Sequence, residues 1–315
     1  MTEAAVRIGT RASALAMAQT GLIADKIAAK FAVDVELVPI TSEGDRNKAS
    51  LATLGGTGIF ANALREALIA GRCDLLVHSF KDLPTVPFED LRIGAVPKRA
   101  DPRDALCARE GWTLTTLPAG SRVGTGSPRR VAQLKSLRPD LDVVDLRGNV
   151  DTRLARVNAD DLDAVVLAAA GLTRLGRLDA VTELLELADW PTAPGQGALA
   201  IEVRGASDLL LDRILDGLNH TTSQLTAIAE RSVLARLQAG CSAPIGASAV
   251  VDGELLLLTA SVYQNDGARH VTGSHALVLE GSVEQRVRQA EELGDRVGDE
   301  LLRLGAADLA QLKTA

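Results

Sequence analysis

The chain has 315 residues, too many for one ordinary hydrophobic core, so two or three domains are expected. With 46% hydrophobic and 24% charged residues it has a globular composition, and its longest apolar run, Ala164 to Leu172, is far too short to cross a bilayer. A net charge of −7 argues against nucleic acid as a partner, while three cysteines (73, 107 and 241) and four scattered histidines form neither a disulfide framework nor a metal site.

In chain order, Val6 to Gly9 reads as a strand and Ser13 to Lys30 as an amphipathic helix. Val35 to Ile40 follows as a strand, Phe60 to Ala70 as a helix and Asp74 to Ser79 as a strand. After Pro97 the pattern restarts with strands at Ala105 to Ala108 and Arg122 to Gly124, a helix from Pro128, and a strand at Val143 to Leu146. A helix from Val150 and a strand at Ala164 to Leu167 complete it. This alternation implies an α/β fold of two lobes with open, mostly parallel sheets, residues 1–98 with 198–218 and residues 103–192. The crossings fall near Pro97–Pro102 and Pro191–Pro194, and ligands in such folds bind in a cleft outside the carboxyl ends of the strands. From Thr221 a helix, three strands (Ala247–Val251, Glu254–Tyr263 and His270–Leu279) and closing helices from Val283 suggest a smaller α+β domain over residues 221–315.

Charge is unevenly placed. Between Arg122 and Arg177 nine Arg and one Lys face seven Asp, a local balance of +3 inside an acidic protein, which points to a site for small anions. Gly9-Thr10-Arg11-Ala12-Ser13 joins the first strand to its helix, and Gly124-Thr125-Gly126-Ser127-Pro128-Arg129-Arg130 does the same in the second lobe. There Ser127 is a natural N-cap and Pro128 occupies the first helical position, so free N–H groups and two arginines gather at a positive helix end. Leu146-Arg147-Gly148-Asn149 leads into a helix carrying Arg153, and the run from Ala169 ends in Arg174. An Arg at the end of strand after strand fits carboxylate binding, because the guanidinium fork grips a carboxylate through two bonds. The stretch His78-Ser79-Phe80-Lys81-Asp82-Leu83-Pro84 differs, placing a carboxylate beside a lysine as a candidate acid/base or cation stabiliser. Cys241 sits in the Gly/Pro-rich loop Gly240 to Gly246, whereas Cys73 and Cys107 lie in strand patterns and read as core.

Taken in order and at this spacing, these stretches resemble the porphobilinogen deaminase (hydroxymethylbilane synthase) family from end to end. Asp101-Pro102-Arg103-Asp104-Ala105 and Pro194-Gly195-Gln196-Gly197-Ala198 extend the match. The resemblance implies two lobes like periplasmic binding proteins and a third domain, with Cys241 carrying a dipyrromethane cofactor through a thioether. It implies porphobilinogen as substrate, condensed four times with ammonia release into hydroxymethylbilane, without metal or nucleotide, by a monomer. Asp82 matches the family's catalytic aspartate, and Phe60 the aromatic beside the reacting ring. Arg11, Ser13, Lys81, Thr125, Ser127, Arg129, Arg130, Arg147, Gly148, Arg153, Ala170 and Arg174 match positions that bind cofactor or substrate carboxylates, and Gln196 falls in the hinge motif. Between Leu51 and Phe60 the chain has threonines where several relatives carry lysines, so no lid-lysine role is carried over.

Two other readings stand beside this one. A two-lobed anion- or solute-binding protein without catalysis would use similar turns; it is disfavoured by a start, Met-Thr-Glu-Ala-Ala-Val-Arg, that lacks the basic-then-apolar secretory pattern and points to the cytoplasm. A cysteine-nucleophile transferase would need a histidine near Cys241, and the adjoining motifs hold none.

Overall fold

The computed structural model describes residues 5–41, 59–159, 161–206, 208–240 and 242–312. Cys241 and the threonine-bearing stretch 51–58 lie outside the described residues, and for Phe60 only the backbone is described. Contacts divide the chain into two compact units, Met1–Ala100 with Ala198–Leu225 and Asp101–Gly197 with Thr226–Ala315.

The first unit is built on strands β1 (Val6–Arg11), β2 (Val35–Ile40), β3 (Leu75–Ser79) and β4 (Leu91–Ala95), joined by a late strand at Leu199–Arg204. β1 runs parallel to β2 and to β3, and the late strand inserts antiparallel between β3 and β4. Helix Ala14–Phe31 packs Ile23 and Ile27 against Ile8, Val77 and Ile201, and its N-cap Ser13 accepts from Ala16 N at 3.3 Å. Helix Ile59–Ile69 lays Leu64 and Leu68 against a second cluster with Ile40 and Leu76.

The second unit repeats the plan with β5 (Asp104–Ala108), β6 (Arg122–Thr125), β7 (Asp142–Asp145), β8 (Ala164–Ala168) and β9 (Glu183–Leu185). The sheet order is β7-β6-β8-β5-β9; β6 is parallel to β7 and β8, and β5 is antiparallel to β8 and β9. Numbered in chain order, the late strand of the first unit is β10, and its sheet reads β2-β1-β3-β10-β4. The expectation of mostly parallel sheets is therefore corrected: each five-stranded sheet is mixed, with two parallel and two antiparallel pairings. The physical reason lies in connectivity. Parallel neighbours need a crossover helix, whereas β5 and β10 each follow a segment that passes from one unit to the other and enter their sheets from the opposite edge.

The C-terminal part is an antiparallel meander of β11 (Ile245–Asp252), β12 (Leu255–Tyr263) and β13 (His270–Val278). Helix Val283–Arg303 covers it with a stripe of Ala290, Leu293, Val297 and Leu301, and starts in a capping box between Ser282 and Gln285. Among the described residues no helix is long and apolar enough to cross a membrane.

Within the second unit this meander is fastened to the segment before β10. Ala247 N donates to Thr192 O at 2.8 Å, and Thr192 N to Ser248 Oγ at 3.2 Å. A Cβ on Gly246 would lie 2.5 Å from Pro191 O, so backbone meets backbone there and only glycine fits. Gly246→Val should therefore cost about 1–3 kcal/mol of stability, the usual range for overpacking. Urea denaturation of variant and wild type checks this, and an unchanged midpoint would mean that the contact yields freely.

Candidate functional site

In the first unit the carboxyl ends of β1 and β3 carry the groups of interest. Arg11 ends β1, and Ser13 caps the following helix. β3 ends at Ser79, whose hydroxyl donates to Gln19 Oε1 at 3.1 Å, and the chain then turns through one 3-10 turn, Phe80–Asp82. Phe80 and Leu83 are buried, and Phe80 N donates to Ala198 O at 3.0 Å, which fixes the turn and leaves Asp82 exposed. Arg11, Ser13 and Asp82 border one cavity of about 80 Å³ together with Gln19, His78 and Ser79. Lys81 is half-buried on the same turn.

Behind this cavity lies a cluster that the sequence reading did not identify. Glu202 on β10 is 2% exposed, and Arg65 grips it with Nε at 3.0 Å and Nη2 at 2.8 Å to Oε1, while His78 Nε2 lies 3.1 Å from Oε2. The signal was available as a lone glutamate inside the apolar run Leu199-Ala-Ile-Glu-Val, since a buried charge needs a partner.

The second unit is organised around Asp104, which is fully buried. Its carboxylate accepts from Arg129 Nη2 (2.9 Å), Arg130 Nε (3.1 Å) and Nη2 (2.6 Å), Trp190 Nε1 (2.7 Å) and Gln196 Nε2 (2.8 Å). Thr125 is buried at the end of β6, its hydroxyl accepting from Ser127 N at 3.3 Å, and Ser127 caps the helix Pro128–Leu137 through Arg130 N. The structure differs here from the expectation of two arginines open to a ligand carboxylate: Arg129 and Arg130 turn inward onto Asp104. Because β5 is antiparallel, its first residue pairs with Ala168 and so stands at the edge where β8 ends, opposite the place a parallel strand would give it. Among the described residues Arg129 Nε is buried without a hydrogen-bond partner.

The other arginines are placed differently. Arg147 is exposed, with Nε 3.4 Å from Asp145 Oδ1. Gly148 holds φ +113, and a Cβ there would meet Thr152 Oγ1 at 2.4 Å, so glycine is required before the Asn149 cap. Arg153 Nε donates to Gly148 O at 2.8 Å, and Arg174 Nη2 to Gly197 O at 2.8 Å; among the described residues neither makes an ion pair. Burial, followed by the neighbouring Arg130 and Arg147, holds the Arg153 pKa below its usual value, and burial alone lowers that of Arg174 to about 10. Half-buried cations with no ion pair of their own suit a ligand that brings several carboxylates, as a dipyrromethane with acidic side chains does. Ala170 is buried at the start of the short helix Ala169–Arg174. Gln196 is buried and ties the two inter-unit segments together, donating to Pro102 O and to Asp104 Oδ1.

Cys107 is buried within β5 and Cys73 in the turn before β3; burial raises both thiols, Cys107 to about 12, which removes both as nucleophiles at neutral pH. Among the described residues no cluster could hold a metal ion.

Burial by itself would raise the pKa of Asp104, but the guanidiniums of Arg129 and Arg130 and the Trp190 N–H outweigh it and hold the carboxyl well below the ordinary carboxylate range. A depressed folded pKa adds stability that is full above the unfolded value of about 3.9 and is lost as pH falls toward the folded one. Asp104→Asn should destabilise the protein by about 3–5 kcal/mol at neutral pH by leaving buried guanidiniums uncompensated. In denaturant titrations the gap from wild type should shrink below about pH 4. A gap independent of pH would rule out the charge as its source.

Two family profiles match the chain: "Porphobilinogen deaminase, dipyromethane cofactor binding domain" over residues 6–212, and "Porphobilinogen deaminase, C-terminal domain" over residues 224–303. The porphobilinogen deaminase of Leifsonia xyli subsp. xyli is 56% identical, covering 99% of this chain and 96% of that protein. That of Cutibacterium acnes is 50% identical over 99% of this chain and 98% of that protein, and that of Thermobifida fusca 47% over 97% and 96%. A periplasmic substrate-binding protein from Coxiella burnetii superposes on 68% of this chain and 91% of its own length at 14% identity, with a TM-score of 0.43 that is too low to bear on the fold. On sequence similarity that runs the length of both units, the chain belongs to the porphobilinogen deaminase family.

Proposed function

We propose that the protein is a transferase that condenses four porphobilinogen molecules, each losing ammonia, into the linear tetrapyrrole hydroxymethylbilane. Family membership along the whole chain supports the reaction. The structural observation that carries it is the pair Arg153 and Arg174, half-buried guanidiniums that make no ion pair among the described residues. Each pyrrole of porphobilinogen bears an acetate and a propionate, and each charge-assisted hydrogen bond to them contributes about 1.5–3 kcal/mol. Arg147, at the exposed end of the same edge, is proposed to receive carboxylates as the chain lengthens. Thr125, Ser127, Gly148 and Ala170 are proposed to line its path. Arg129 and Arg130, already committed to Asp104, are proposed to act through the positive charge left over and through Arg129 Nε.

Asp82, with Arg11, Ser13 and Lys81 around it and Phe60 on the neighbouring helix, is proposed as the chemical centre. Its carboxylate opposes the positive charge that develops on the porphobilinogen methylene as ammonia leaves, and then accepts the proton displaced from the attacking pyrrole α-carbon. The dipyrromethane supplies, when bound, the first such α-carbon. Cys241 is proposed to hold it through a thioether, the other two thiols being buried.

Intact-mass measurement should find the active chain heavier than its sequence by one dipyrromethane, and Cys241→Ala should return the bare mass without turnover. An unmodified mass in active protein would exclude the linkage, and a protein that binds porphobilinogen without releasing ammonia would instead be a binding protein. Asp82→Asn keeps shape and removes charge. Single-turnover ammonia release should fall by about 10²–10⁴-fold or more, the range of general acid–base help to which lost cation stabilisation adds. Near-normal release would place the reactive carboxylate elsewhere.

A further inference from the structure

The buried set Arg65–Glu202–His78 reaches the Asp82 cavity through His78, and the proposed reaction gives it no task. A four-fold cycle creates one. Each condensation leaves a proton on Asp82, and a protonated Asp82 cannot oppose the next cation, so the carboxyl must be reset before every turn.

We propose that His78 takes that proton from Asp82, with Glu202 fixing the imidazole in the tautomer that allows it. The proposal rests on the reading of Asp82 as proton acceptor. Glu202 pairs with Leu76 across β10 and β3, and His78 is two residues farther along β3, so Glu202 and His78 share one face of the sheet. His78 is 8% exposed, its Nε2 lies 3.1 Å from Glu202 Oε2, and the residue borders the same cavity as Asp82. Arg65, from helix Ile59–Ile69, holds Glu202 from the other side, and its guanidinium stacks 4.9 Å over the Phe88 ring.

Burial would raise the Glu202 carboxyl, but hydrogen bonds from His78 and Arg65 outweigh it and keep the group below its ordinary value. An ionised carboxylate only accepts, so His78 Nε2 donates and Nδ1 is left as the basic nitrogen. The other charged groups about His78 are Arg65 from the helix, Arg11 from β1, and Lys81 and Asp82 from the turn after β3. Glu202 Oε2 faces His78 Nε2 directly, so an imidazolium forms against a carboxylate oxygen whose charge Arg65 also shares.

The step balances. The carbon–carbon bond forms at the methylene, the α-carbon–hydrogen bond breaks, and its electron pair restores the aromatic ring. The proton passes to Asp82, then to His78 Nδ1, and leaves to water, where the ammonia released earlier in the turn takes it up as ammonium. A cavity of about 80 Å³ has room for a bridging water. His78 thus acts through Asp82, as a positioning and proton-accepting residue.

Nitrogen-15 NMR of the histidine-labelled holoenzyme, with only His78, His220, His270 and His275 to assign, reads the tautomer directly. The proton should sit on His78 Nε2; a proton on Nδ1 overturns the proposal whether or not any variant folds. His78→Gln retains a donor toward Glu202 but cannot carry the proton. With cofactor attachment verified by mass, its kcat should fall about 10-fold or more, within the reach of proton-transfer help, with KM changed less than two-fold. Turnover in deuterated water should then show a solvent isotope effect that wild type lacks. An unchanged kcat, or a loss without an isotope effect, overturns the relay while leaving the deaminase reading intact. Failure of the wild type to consume porphobilinogen removes both.

Discussion

One buried carboxylate sets the geometry of the second unit. Asp104 is fully desolvated and receives five donated hydrogen bonds, from two guanidiniums, an indole and an amide. An ionised carboxylate offers about four lone-pair sites, so the group is saturated. These bonds connect the start of β5, the first turn of helix Pro128–Leu137, Trp190 in the core and Gln196 beside Gly197, where the unit ends. Stability alone does not account for so many charges in one place, since apolar groups of similar volume commonly serve a fold as well or better. What an apolar set could not provide is the surplus. Two guanidiniums against one carboxylate leave a net positive charge behind the Thr125–Ser127 turn, close to Arg153.

The first unit uses the same device with different wiring. Its strand order, β2-β1-β3-β10-β4, matches β7-β6-β8-β5-β9 position for position, with an antiparallel strand fourth in each. In both sheets that fourth strand carries the buried carboxylate, Glu202 or Asp104, and a helix of the same unit supplies the guanidinium. Strands that enter a sheet from the inter-unit segments gain no crossover helix to anchor them. A buried ion pair at a defined register does this instead, because a one-residue slip would carry the carboxylate to the other face of the sheet. The difference lies in the balance: Arg65 and Glu202 cancel and leave the histidine to adjust, whereas the Asp104 site keeps its excess charge.

Much of this was legible in the sequence. Period and turn chemistry placed β1, β2, β3, β6 and β8 within two residues of their observed bounds, together with the helices that begin near Ser13, Phe60, Pro128 and Val150. The Ser127 and Asn149 caps are as their spacing implied, while Ser13, expected as the first helical residue, is the N-cap. Periodicity says nothing of direction, however, and that is where the reading stopped. Asp104 was visible only as part of a family motif, because a parallel β5 would have put it at the far edge from Arg129 and Arg130. β4, β9, β10 and helix Leu209–Leu218 were left unassigned. β9 is only three residues long, and β10 carries a glutamate where an apolar residue would have announced a strand. The pairing of Arg65 with Glu202 spans 137 residues and leaves no local trace.

The arginines therefore fall into two kinds that sequence position alone does not separate. Arg129 and Arg130 spend their forks on Asp104, Val166 O, Pro191 O and Gln133, so they set shape and local potential. Among the described residues Arg153 and Arg174 each bond only a backbone carbonyl and remain under-compensated in a partly dry environment, where a cation is worth most to an arriving anion. Their charge does not depend on what they bind, since even Arg174, lowered to about 10, stays protonated at neutral pH. In the proposed cycle a growing polycarboxylate is received step by step without changing the protonation of its host, and the proton transfers belong to the first unit, where the carboxylate and the histidine are.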